Sequence, residues 1–178
     1  MNFHKKVVMI TGGGGAGNEA IFRLLSDRYE VYFVDSDILN IDPSIPSSNK
    51  RQIPLATDVD FLPFLKKLCF DLEVDLLIPS VDEELLLIAE SAHQWGATQI
   101  MLPHSSYVSS MTDKLTMIKV LDAQGILIPK TESLDNDITK FDFPCIVKPR
   151  EGRGSRGVFS VPNRCEVEAF RKKIGKDA

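Results

Sequence analysis

The chain has 178 residues, with 21 lysines and arginines against 25 acids, for a formal charge of −4. Hydrophobic residues at 43% and charged residues at 26% exclude a disordered or low-complexity chain. The acidic balance argues against general nucleic-acid binding, and at roughly 150 residues per domain the length allows one full domain and part of another.

In chain order, Val7–Thr11 is a continuous apolar run ended by the glycines 12–15, as expected of a strand buried on both faces of a parallel sheet. A helix is expected from about Ala16 to Asp27, with Ala20, Leu24 and Leu25 facing inward. Val31–Val34 is a second strand closed by Asp35, and Ser36–Asn49, with Pro43 and Pro46, is a loop. Phe61, Phe64, Leu65 and Leu68 repeat at helical spacing, Val74–Ile78 is a third strand, and Asp82 suits the N-cap of a helix whose inner face is Leu85, Ile88, Ala89 and Ala92. Gln99–Leu102 completes the series. Strands alternating with helices at this spacing predict right-handed βαβ units and an open parallel sheet, so residues 1–104 read as a Rossmann-like domain of α/β class.

Residues 105–178 change character. Thr112 or Asp113 can cap a helix bearing Leu115, Ile118 and Leu121, which Gly125 stops. Phe143–Lys148 and Gly157–Val161 read as paired strands, and a polar helix runs from about Glu166 to Lys173. That content is too small for a core of its own, so it reads as part of a domain.

Cys69, Cys145 and Cys165 are odd in number and form no C-x-x-C pair, which predicts reduced thiols. His4, His93 and His104 are scattered without zinc spacing. No segment approaches the ~20 apolar residues that cross a bilayer. These features together predict a cytoplasmic protein with neither membrane nor nucleic-acid partners.

Two glycine clusters share the spacing G-x-G-x-x-G. The first, Gly12, Gly14 and Gly17, follows a strand and opens a helix, and Asp35 stands where an acid can hold a ribose hydroxyl. That supports a nicotinamide-dinucleotide reading, as an oxidoreductase or sensor; the same glycines also simply permit a tight strand-to-helix turn. Asn18 stands where a Walker A loop needs lysine. The second cluster, Gly152, Gly154 and Gly157, lies between two strands, and Lys148, Arg150, Arg153 and Arg156 crowd around it. Like charges at about 4 Å repel by roughly 4 kcal/mol at an effective dielectric near 20. The crowd suits a bound polyanion, with glycine amides approaching its oxygens; it equally suits a solvated basic turn whose arginines splay apart.

The string from Phe143 to Val158, with Lys148 before the glycines, resembles the phosphate-binding hairpin of ATP-grasp ligases. Met111–Lys114 resembles the lysine-bearing helix start that precedes it there, and Thr11–Gly17 with Pro79–Glu84 resembles the Rossmann-like domain that leads into ATP-grasp. The likeness is greatest to carbamoyl-phosphate synthase large-chain-like proteins. It implies an α/β chain in which the Rossmann-like sheet is followed by a partial α+β ATP-grasp subdomain. It further implies ATP contacts from Lys114, Lys148, Gly152, Arg153, Gly154, Ser155, Arg156 and Gly157, with Lys148 on the α- and β-phosphates. Gly14, Ser80 and Asp82 are candidates for the acceptor side, at the carboxyl ends of the sheet. The implied chemistry joins a small carboxylate to an amine or ammonia through an acyl phosphate, with ATP and Mg²⁺. The family's Mg²⁺ ligands, a Glu and a Glu-x-Asn pair, have no counterpart after the hairpin, and Asp82, Glu83, Glu84, Asp135 and Asp137 are expected to cap helices or face solvent. The expectation is therefore an N-terminal piece of a longer ligase, inactive alone, whose remaining half acts in cis or in trans.

Overall fold

The computed structural model describes residues 5–139, 141–152 and 154–174. The chain divides into two compact units, Met1–Ser105 and Ser106–Ala178. The first contains β1 (Lys6–Ile10), α1 (Asn18–Leu25), β2 (Tyr29–Asp35), β3 (Lys50–Gln52), α2 (Phe61–Asp71), β4 (Leu76–Ile78), α3 (Asp82–Glu90) and β5 (Gln99–Ile100). Its strands form one five-stranded sheet in the order β3-β2-β1-β4-β5, and every pairing is parallel. This is the Rossmann-like sheet expected from the alternation of strands and helices.

The apolar runs of β1 and β2 are buried on both faces, and the two-residue alternation of a strand divides them between two cores. Val7, Met9, Tyr32 and Val34 pack with Phe61, Leu65, Cys69 and Ile88. Val8, Ile10, Val31 and Phe33 pack with Ile41 and Ile45 on the opposite face. Register follows this division, because Val8 pairs with Val31 and Met9 with Tyr32.

Four expectations need correction here. The segment Ser36–Asn49 is not one irregular loop: it holds 3₁₀ turns at Ile38–Asn40 and Ser47–Asn49, and it delivers Ile41 and Ile45 to the core. It is followed by β3, an edge strand of charged and polar residues that hydrophobic patterning does not reveal. Helix α1 begins at Asn18, so its inward positions are Asn18, Phe22 and Leu25, spaced i, i+4 and i+7; Ala20 and Leu24 are exposed. Asp82 is the first residue of α3 and Val81 its N-cap, while Ala92 is exposed and Glu84, Ile88 and Ala89 face inward.

Helix α4 (Ser105–Thr112) starts at the boundary, and the second unit continues with α5 (Lys114–Ala123), the antiparallel pair β6 (Cys145–Val147) and β7 (Phe159–Val161), and α6 (Arg164–Ile174). Helix α4 is serine-rich and went unread in the sequence. The small core joins Ile138, Val147, Val161 and Val167, with Leu134, Phe141, Phe143 and Cys145 packed against it. Phe159 and Phe170 add a tilted ring pair at 4.7 Å between centroids. Among the described residues, no helix is long and apolar enough to cross a membrane.

Candidate functional site

In the first unit, strand order reverses between β1 and β4, the position at which open α/β sheets offer a crevice beyond the strands' carboxyl ends. The loops there are Gly12–Gly17 and Pro79–Val81. Ser80 lies against the first: its hydroxyl donates to the Thr11 carbonyl at 2.5 Å, and a Cβ on Gly12 would meet the Ser80 Oγ at 2.8 Å. Gly14 leans the other way. Its amide donates to Asp35 Oδ2 at 2.9 Å, and a Cβ there would strike the Asn40 Cβ at 2.6 Å. Gly14 and Ser80 therefore engage different neighbours, and Asp82 stands exposed on the first turn of α3.

This geometry bears on the dinucleotide reading. A pyrophosphate in such a loop depends on unengaged backbone amides. Here the Gly14 amide is taken by the same aspartate that would serve the ribose, and the Ile38–Asn40 turn lies over the glycine. The Asn18 side-chain amide braces the loop from beneath, donating at 3.0 Å to the carbonyls of both Gly12 and Gly13. The first cluster is thus a braced turn.

Glu84, expected at a cap or in solvent, is 2% exposed. Its Oε1 accepts from the Thr11 hydroxyl, and from the Ser80 and Val81 amides at 3.1 Å each. The bond from Val81 is the reach-back half of a capping box, a glutamate at the third helical position serving the N-cap amide.

The second unit holds a cleft of about 540 Å³. Lys114, Lys148, Pro149 and Arg150 line it together with apolar residues such as Leu115, Ile138 and Phe143. The two lysines that sequence reasoning singled out, 34 positions apart (148 − 114), thus face one cavity. The glycine loop rises from its rim. Gly152, Gly154, Ser155 and Gly157 all have positive φ, and the Val158 amide donates to the Ser155 carbonyl at 3.3 Å. Ser155 and Arg156 are exposed; Arg153 lies outside the described residues.

Asp113 is the N-cap of α5, accepting from the amides of Leu115 at 2.9 Å and Thr116 at 3.2 Å. The same carboxylate is held by Arg150, whose Nε donates at 3.1 Å and whose Nη2 donates to the other oxygen. The guanidinium, followed by the bonds from Thr116 and Leu115, holds the Asp113 pKa down at about 2. Arg150 is therefore neutralised within the protein and does not join an unbalanced basic crowd. Lys114 is also engaged. Its backbone amide donates to the Arg150 carbonyl at 2.9 Å, and its Nζ donates to the carbonyls of Gly152 at 2.8 Å and Arg150 at 3.3 Å. The cost of a cation at a helix start is thus offset by loop carbonyls.

No protein-family model matches this sequence, and no curated protein matches it. Solved structures do. N5-carboxyaminoimidazole synthase from Aspergillus clavatus, in complex with ADP and 5-aminoimidazole ribonucleotide, superposes with a TM-score of 0.70 at 14% identity, over 97% of this chain and 45% of that one. Pyruvate carboxylase from Rhizobium etli gives 0.60 at 12% identity over 98% of this chain and 18% of that one. Glycinamide-RNase-transformylase T from Mycobacterium tuberculosis gives 0.52 at 17% identity, over 67% and 35% respectively. What is shared is the fold. The chain spans less than half the length of each of these proteins.

Proposed function

We propose that this chain supplies the Rossmann-like leading domain and a phosphate-gripping lobe of an ATP-grasp ligase that joins a carboxylate to an amine or ammonia, in the manner of carbamoyl-phosphate synthase-like proteins. The observation that carries the reading is the cleft that Lys114 and Lys148 both line at the root of a glycine-rich β-hairpin loop. The fold likeness to a synthase solved with ADP supports it.

In this reading the apolar wall of the cleft takes the nucleoside end, and Lys114 and Lys148 meet the phosphates. Gly152, Gly154, Ser155 and Gly157 fold over them, with Arg153 and Arg156 adding positive charge, because glycine lets amides approach closely. Phosphoryl transfer asks a protein mainly for positioning and charge stabilisation. A carboxylate oxygen of the substrate attacks the γ-phosphorus and ADP leaves. The nitrogen of the amine then attacks the acyl carbon, and inorganic phosphate leaves. Gly14, Ser80 and Asp82 remain proposals for the acceptor side. Mg²⁺ is a different matter: among the described residues no three His, Cys, Asp or Glu side chains cluster to hold a metal.

The test is calorimetric titration of the chain with ATP. Binding that weakens at least about tenfold in Lys148→Ala, the loss of one charge-assisted contact, supports the reading. Equal affinities in the two proteins, or no binding by the parent, overturn it.

A further inference from the structure

The first four backbone amides of α5 are all taken within the protein. The Lys114 amide is bonded to the Arg150 carbonyl, the Leu115 and Thr116 amides to the Asp113 side chain, and the Met117 amide to the Asp113 carbonyl. Every one of these bonds ends on Asp113 or Arg150. The Asp113 side chain is only 17% exposed, and a bidentate guanidinium–carboxylate pair fixes direction as well as distance. Two residues beyond Arg150, Gly152 offers its carbonyl to the Lys114 Nζ. The loop is thus pinned at its base by a rigid pair and at its first glycine by a flexible amine.

From this asymmetry we infer that Asp113 and Arg150 are positioning residues, which hold the glycine loop over the cleft while Lys114 exchanges its loop carbonyls for the oxygens of a nucleotide's phosphate tail. This deepens the ATP-binding proposal and rests on it. Arg150 touches no phosphate in this arrangement; its charge is spent on Asp113. Lys114 carries three rotatable donors on a flexible stem, and its contacts with Gly152 and Arg150 are to neutral carbonyls. An anion offers it a stronger partner, and the loop keeps its seat through Arg150 when that exchange occurs.

Asp113→Asn is the informative variant, because asparagine caps a helix about as well as aspartate yet cannot form the ion pair. Arg150→Lys keeps the charge and loses the fork. Two measurements on the full chain decide the matter. Without nucleotide, amide hydrogen exchange of residues 151–157 is expected to rise at least about tenfold in both variants, with exchange in α6 unchanged. With nucleotide, titrations with ATP and with AMP are expected to show ATP affinity falling about tenfold in each variant while AMP affinity stays put, because the loop meets only the terminal phosphates. Loop exchange equal to that of the parent overturns the positioning role, as does equal weakening of ATP and AMP, which marks a merely structural pair. Lys148→Ala separates the two proposals. If it leaves ATP affinity untouched, the nucleotide site is wrong; if it weakens ATP while Asp113→Asn does not, the site stands and the positioning role falls.

Discussion

The carboxyl group of Glu84 accepts the hydroxyl of Thr11, joining the first turn of α3 to the end of β1 where the strand order reverses. Both residues are buried, and Oε1 serves two backbone amides as well. Removing that acceptor leaves buried donors unsatisfied, each worth about 1–3 kcal/mol. Glu84→Ala is expected to lower unfolding stability by about 2–4 kcal/mol. Glu84→Gln keeps a carbonyl oxygen and loses less. Urea unfolding followed by the fluorescence of Trp95, which is buried in the same unit, measures both.

Gly14→Ala tests the braced turn. The added Cβ falls 2.6 Å from the Asn40 Cβ, too close to accept without displacing the Ile38–Asn40 turn. Overpacking of this kind costs about 1–3 kcal/mol. The double variant Gly14→Ala with Asn40→Gly removes the obstructing atom and is expected to recover part of the loss. Thermal unfolding of the three proteins gives the comparison, and additivity in place of recovery contradicts the contact.

The pairing of Asp113 with Arg150 has a pH signature. A carboxyl held at about 2 in the folded protein, against about 3.9 unfolded, stabilises the fold fully above pH ~4. That contribution is lost as pH falls from about 4 toward 2, and it is constant through neutrality. Carboxyl-carbon NMR is expected to show Asp113 titrating near the bottom of that window, and moving up toward the ordinary range in Arg150→Ala.

Thiol labelling orders the three cysteines. Burial pushes the Cys69 thiol up to about 12, and it is only 2% exposed, so it holds its proton at neutral pH. Cys165 is exposed and Cys145 half-buried. A chromogenic disulfide reagent is expected to modify Cys165 first, Cys145 more slowly, and Cys69 only after unfolding. Early modification of Cys69 in the folded chain contradicts the packing around Met9 and Phe61.

The sheet was legible because β1 and β2 are long apolar runs, and continuous hydrophobicity bounded by glycine and aspartate has few other physical meanings. Strand β3 was not, since Lys50, Arg51 and Gln52 are polar edge residues that show no hydrophobic alternation, and only backbone pairing defines the strand. The face of α1 was misread because its phase depends on where the helix begins, and Gly17 at φ 95 delays that start to Asn18. Lys114 and Lys148 were paired by the resemblance of their motifs to ATP-grasp ligases, and both line one cleft. The engagement of Arg150 by Asp113 depends on a contact 37 positions long, which local patterning does not encode. Glu84 was hidden by its neighbours: three successive acids look alike in sequence, and only the turn of the helix sends one of them inward.

The bond from Gly14 to Asp35 also sets what a ligand would have to displace. Turning the amino-terminal glycines into a dinucleotide reader would require freeing an amide from its own aspartate and also clearing the turn at Asn40. The amino-terminal glycines are thereby tied into the packing of their own sheet, whereas a Cβ on Gly152 or Gly154 would meet nothing within 4 Å.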